Sequence, residues 1–241
     1  MSLGHGASTV RSGLVLHLDA ANPKSYPGSG TNIVDISTNT TTCTLNNSSG
    51  YDSVNKIFSF PYESTGIATN WITSSTFSRI PAGTINDFTY CGFCRVTNFT
   101  SGPGRIWSFD TFGDDTTNRL NFYASQTNIT IEVNNVVQTM PTFSTSLNTL
   151  NVWMYYSFTI TSSGTAYNIY RWNYSTGSMD TNSTAIVTPG TIGTTVILGR
   201  RGFNTANYSA VDLGPQMMYN RALSATEITQ NFEALRGRYG I

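Results

Sequence analysis

The sequence predicts an all-β protein: a two-sheet jelly-roll sandwich with a short C-terminal helix. Three observations carry this. Apolar residues recur at every second position in short runs, the period of a half-buried strand. Clusters of Gly, Pro, Asn and Ser separate those runs, so nearly everything before residue 220 reads as strand and turn. The last residues then switch to a helical period with both helix ends specified.

Residues 1–12 are small and polar, with Gly4 and Gly6, and read as an N-terminal arm. Residues 13–241 form one domain. GLVLHLDA (13–20) alternates, with Leu14, Leu16 and Leu18 on one side and Val15, His17 and Asp19 on the other. NPKSYPGSGT is a turn-rich loop. Residues 37–50 are rich in Thr, Asn and Ser, with Cys43 and Leu45 as the apolar exceptions. KIFSF is a short strand that Pro61 ends or confines to an edge.

DFTYCGFCRVTNF is the clearest central strand, with Phe88, Tyr90, Gly92, Cys94 and Val96 on one face. RIWSFDTF and RLNFYAS lie on either side of the loop GDDTTN. NITIEV and VVQTM are joined by Asn134 and Asn135, residues that tolerate the positive φ of a tight hairpin. VWMYYSFTI and AYNIYRWNY make a second hairpin. TTVILGRR and DLGPQMMY complete a set of about ten to twelve strands, the count of a sandwich or jelly roll.

The ending is specified residue by residue. Ser224 is an N-cap and Glu227 follows three residues on, a capping box. Leu223 and Ile228 fit a hydrophobic staple. Ile228, Phe232 and Leu235 make one apolar stripe, and Gly237 fits the residue after the C-cap. A helix over about 224–236 is too short to stand alone in water, so it must dock on the sandwich or on a neighbour.

Composition narrows function. The chain has 13 basic and 13 acidic side chains and no net charge, so it lacks the basic patch of a nucleic-acid binder. No stretch reaches the roughly 18 apolar residues of a membrane span, so no membrane insertion is expected. The N-terminus has no apolar segment of a secretory signal. Three cysteines in so long a chain are not a disulfide scaffold, and synthesis in a reducing cytosol is expected. A surface of hydroxyls and amides suits neutral, hydroxyl-rich ligands or packing against neighbours. It equally suits an ordinary β-surface.

Four stretches carry a resemblance: the opening GLVLHLDAANPKSYPGSGT, the central strand DFTYCGFCRV, the hairpin NVWMYYSFTITSSGTAYNIYRW and the closing YNRALSATEITQNF. Together they resemble the concanavalin A-like, laminin G-like jelly roll, in the form found in virion structural proteins of tailed phages. The likeness covers about 13–235. It implies a non-enzymatic capsid-decoration, neck or tail-fibre component, made in the host cytoplasm. Its partners would be other virion proteins or copies of itself, with host or environmental glycans as ligands. A free-standing carbohydrate-binding lectin is the alternative. Two family loops depart here, ISTNTTTCT and FPYESTGI, and the second lacks the usual acidic pair.

A glycoside hydrolase ranks last. A retaining enzyme needs two carboxylates about 5–5.5 Å apart, and none of Glu63, Glu132, Glu227 and Glu233 has an acid two residues away. His17 shares a face with Asp19 but has no nucleophile beside it. Cys91 and Cys94 match C-x-x-C within a strand, which sends the thiols to opposite faces and reads as two buried thiols. No cofactor is required. Calcium is the one candidate ion, on Asp110, Asp114, Asp115 and Asn118.

Trp71, Trp107, Trp153 and Trp172 would stack on sugar rings if exposed. Trp107 stands out beside the Asp-rich loop, and with Arg200, Arg201 and Asn204 makes the candidate carbohydrate rim. His5, Arg11, Ile228, Phe232 and Leu235 are candidate assembly residues. The arm is held either by a partner subunit or by its own domain.

Overall fold

The structure is a computed structural model. It describes residues 7–38, 41–61, 69–77, 83–84, 87–98, 104–110, 120–124, 129–133, 136–138, 150–161, 166–173, 176–185, 191–200 and 210–241. Within 104–110, 123–124, 129–130, 133, 136–138, 184–185 and 191–192, and at 83–84, only the backbone is described.

Two eight-stranded sheets face each other. The first runs in the order β15 (Ser178–Ala185), β14 (Ala166–Asn173), β13 (Met154–Thr161), β8 (Phe88–Asn98), β18 (Ala210–Tyr219), β5 (Ile57–Phe60) and β4 (Tyr51–Asp52). β1 (Leu14–Leu18) also pairs with β18, beyond the end of β5. The second runs β12 (Val136–Gln138), β11 (Ile129–Val133), β10 (Leu120–Ala124), β9 (Gly104–Asp110), β17 (Thr195–Leu198), β6 (Ile72–Ser74), β3 (Thr42–Leu45) and β2 (Asn32–Val34). A small ribbon pairs β7 (Gly83–Thr84) with β16 (Thr191–Ile192). One helix, α1 (Ala225–Leu235), follows β18.

The core lies between the sheets. Phe58, Phe88, Tyr90, Phe158 and Leu213 of the first sheet meet Ile33, Leu45, Ile72, Phe122 and Leu198 of the second. All ten are buried to within about 1% of full closure. Both expected hairpins are present as strand pairs, β11 with β12 and β13 with β14.

The centre is β8 against β18, where chain chemistry solves a local problem. Pro215 lacks an N–H and cannot continue a ladder. The register slips between Leu213 and Gln216, so proline sits in a bulge. Gln216 then turns inward and its amide donates to Phe93 O at 2.8 Å and Gly214 O at 3.0 Å. Its Oε1 accepts from the Tyr90 hydroxyl. Gln216 lies over Gly92, where a Cβ would come within 2.6 Å of Oε1, so only glycine leaves room.

A second apolar cluster lies on the outer face of the first sheet. Strand alternation sends Cys91 and Phe93 there from β8, and Met217 and Tyr219 from β18. α1 covers this face. The capping box forms as read, with Ser224 Oγ accepting from Glu227 N and the Glu227 side chain accepting from Ser224 N. Phe232 stacks on Trp172 with ring centroids 4.4 Å apart. Ile228 and Phe232 are fully buried and Leu235 is 6% exposed.

Asn231, buried on the helix, ties three elements together. Its Nδ2 donates to the Tyr219 hydroxyl at 3.0 Å, and its Oδ1 accepts from Val10 N at 2.8 Å. The Tyr219 hydroxyl in turn donates to Val10 O. Ser8 O and Ser12 O accept from Gln230 and Arg221. Residues 7–12 of the expected arm therefore lie on their own domain.

The helix ends differently from expectation. Gly237 is not left-handed; a 3-10 turn (Arg236–Arg238) continues the chain and Gly240 takes the positive φ of 67°. The reason is Tyr239, which the extra turn delivers onto Phe93, with centroids 4.7 Å apart. There its hydroxyl occupies the space a Cβ on Gly214 would need.

Two outcomes follow from helix docking. Phe232→Ala removes the centre of the outer cluster and should lower stability by about 3–5 kcal/mol, read as a shift of the urea midpoint. A loss below about 1 kcal/mol would mean that the helix is not docked there. The second concerns Glu227. Two hydrogen bonds from Arg221, at 2.5 and 3.0 Å, and one from Ser224 N hold its carboxyl down from the ordinary 4.5 to about 2. The folded value lies below the unfolded one, so the stabilisation is complete above about 4.5 and is lost as pH falls towards 2. Glu227→Gln should flatten stability against pH in that window.

Candidate functional site

The two outer sheet faces differ in kind. The first is apolar and closed by α1. The second carries a row fixed by register: Glu132 opposite Asn121, the backbone of Ser108 between Asn121 and Ile197, Ile197 opposite Thr73, Thr73 opposite Thr44 and Thr44 opposite Asn32, with every described side chain but Ile197 polar. The neighbours of these residues along each strand, such as Phe122, Leu198, Ile72 and Leu45, belong to the core. Strand alternation thus puts the row on the side away from it.

The row has a wet end and a dry end. Asn32 and Thr44 are exposed and Thr73 is half-buried. Asn121 is fully buried and Glu132 is 5% exposed. Neither amide atom of Asn121 has a hydrogen-bond partner. Such a group costs about 1–3 kcal/mol and is satisfied in native proteins by water or ligand.

At the wet end stands Trp71, two residues before Thr73 and so of the same parity. The Arg200 guanidinium lies 4.1 Å from its ring centroid. This pairing fixes the indole, and Arg200 itself is buried at 5% exposure. Asn46 braces the other side, donating from Nδ2 to Thr73 Oγ1 at 2.8 Å and Trp71 O at 3.2 Å. The indole N–H is buried without a partner. The result is a half-buried indole, covered on one face by Arg200, beside the exposed Asn46 and Thr44 side chains.

Of the residues singled out in the sequence, Arg200 belongs to this arrangement. Trp107 lies on β9 in register with Phe122 and Leu198, two core positions, and Asp110 in register with Thr195. The side chains of Trp107 and Asp110 lie outside the described residues, as do Arg201, Asn204, Asp114, Asp115, Asn118 and His5 entirely. Ile228, Phe232 and Leu235, considered for assembly, are committed to the molecule's own first sheet. Arg11 is exposed at the mouth of a separate groove. Asn46, Thr73 and Asn121 were not singled out from sequence. For Asn121 the signal existed: a lone amide between Leu120 and Phe122 in a strand.

The remaining chemical groups have structural surroundings. Cys91 and Cys94 lie on opposite faces of the first sheet, in the outer and inner clusters. Burial pushes the Cys43 and Cys91 thiols up to about 12, and Cys94 up as well, so all three are poor nucleophiles. Asp19 accepts from Arg238 Nη1 at 2.7 Å and from Ala21 N. Glu227 and Glu233 are paired with Arg221 and Arg236. Among the described residues no group of three or more His, Cys, Asp or Glu is placed to hold a metal ion.

No protein-family profile matches the sequence, and no curated protein does. Solved structures do match in fold. The botulinum neurotoxin type G receptor binding domain superposes with a TM-score of 0.61 at 15% identity, over 92% of this chain and 51% of that one. The botulinum neurotoxin serotype D binding domain gives 0.62 at 14%, over 92% and 50%. Trypanosoma rangeli sialidase gives 0.59 at 14%, over 98% and 35%. The chain thus spans about half the length of the two binding domains it matches. These likenesses establish the fold, a two-sheet β-sandwich.

Proposed function

We propose that the chain is a non-enzymatic, lectin-like module that binds glycans on the outer face of its second sheet and serves in a virion, as a capsid-decoration, neck or fibre component. One observation carries the binding reading. The helix and the arm cover the centre of the first sheet's outer face, while the second keeps exposed amides and hydroxyls around the Trp71–Arg200 pair. Receptor-binding domains of the same fold support it. The virion role is supported by the resemblance of the opening and closing motifs. In this reading the protein is made in the host cytoplasm, needs no cofactor, and meets other virion proteins or its own copies. A free-standing lectin would use the same face.

A glycan array probed with the intact chain tests the binding reading. Hydroxyl-rich glycans should bind, and Trp71→Ala should weaken them at least about tenfold, equivalent to about 1.4 kcal/mol, while Trp107→Ala is run beside it. A blank array contradicts glycan binding and leaves an architectural role. Absence of the chain from purified particles by mass spectrometry contradicts the virion role.

A further inference from the structure

A second site lies away from the Trp71 face. Between residues 9–14, β1 and the loop at 22–24 is a groove of about 310 Å³, lined by Thr9, Arg11, Leu14, His17, Asn22, Lys24 and Ile36. That volume is at the small end of ligand pockets and suits one monosaccharide ring.

Three basic side chains, Arg11, His17 and Lys24, line it. Arg11 and Lys24 are exposed, and neither forms an ion pair among the described residues. His17 lies between them in the wall, and its Nε2 is buried with no hydrogen-bond partner. The two acids nearest to His17 are buried. Asp35 accepts from His17 N, Ser37 N and Ser37 Oγ, each at 2.8 Å, and Asp19 accepts from Arg238 at 2.7 Å. Burial, acting against those two carboxylates, keeps His17 below its ordinary range and therefore neutral at pH 7. The groove then presents two exposed cations beside a wall formed by the neutral imidazole of His17.

We propose that this groove binds an acidic monosaccharide through its carboxylate. Arg11 and Lys24 meet the carboxylate, Arg11 offering the two-pronged donor geometry that carboxylates favour. The Thr9 and Asn22 side chains meet ring hydroxyls, next to the His17 wall. Leu14 and Ile36 lie against the apolar C–H face. Two cations alone would equally take phosphate; the apolar walls and the uncharged imidazole favour a ring that carries one negative charge. The proposal extends the glycan-binding reading to a second subsite, and it does not use Trp71.

The test is titration of the intact chain with sodium glucuronate, glucose and inorganic phosphate, followed by calorimetry and by the imidazole ¹⁵N shifts of His17. Glucuronate should bind at least tenfold tighter than glucose and than phosphate, and should shift the His17 Nε2 resonance. Arg11→Ala and Lys24→Ala, both at exposed positions, should each weaken it at least threefold. Trp71→Ala should leave it unchanged, so failure of this groove and failure of the Trp71 face are read separately. Equal binding of glucose, equal binding of phosphate, or an unmoved His17 resonance would each overturn the proposal.

Discussion

The first sheet has to be dry on both faces, and the rest of the molecule is arranged around that requirement. Strand alternation in β8, β13 and β18 sends Tyr90, Cys94 and Met218 inward and Cys91, Phe93, Tyr155 and Met217 outward, and the outward Thr89 and Thr159 are buried and hydrogen-bonded to each other. An open sandwich would expose the outward set to water, at about 25 cal/mol for each Å² of apolar surface. One short helix supplies the cover. Its own stability is marginal, so sheet and helix depend on each other.

Polar groups inside these contacts set position. Asn231 is buried on the helix yet fully engaged, by Val10 and Tyr219. Sliding the helix by one residue would take the Asn231 amide away from Val10 N and the Tyr219 hydroxyl, at a cost of about 1–3 kcal/mol for a buried group left unpaired. Gln216 does the same for the bulge at Pro215. The helix therefore acts as structural closure, and contact with other molecules is left to the accessible end of the second sheet's outer face, around Asn32, Thr44 and Thr73, and to the groove beside β1.

Much of the fold was legible in local pattern. The long strands are rich in aromatic and β-branched residues at period two, and the helix carries its capping box and stripe in consecutive residues. Strands β2, β3, β6 and β15 were not legible, because Thr, Asn and Ser fill their outer positions and hide the alternation. In β3 only Cys43 and Leu45 mark the buried side, and both reach the core. Gly237 looked like the helix terminator, but a long-range contact, Tyr239 on Phe93, decided the end of the chain.

The site was less legible for the same reason. Arg200 could be picked from sequence, but its partner Trp71 lies far away in the chain and meets it only because β6 pairs with β17. Nothing local says which sheet the helix will cover, and that choice decides which face stays open. Solvent paramagnetic relaxation with a soluble gadolinium chelate reads this asymmetry directly. The side-chain protons of Thr44 and Asn46 should relax strongly, while those of Phe93, Tyr155 and Met217 should be protected. Strong relaxation at Phe93 and Met217 would contradict the account, because the face assigned to the helix would then be open to water.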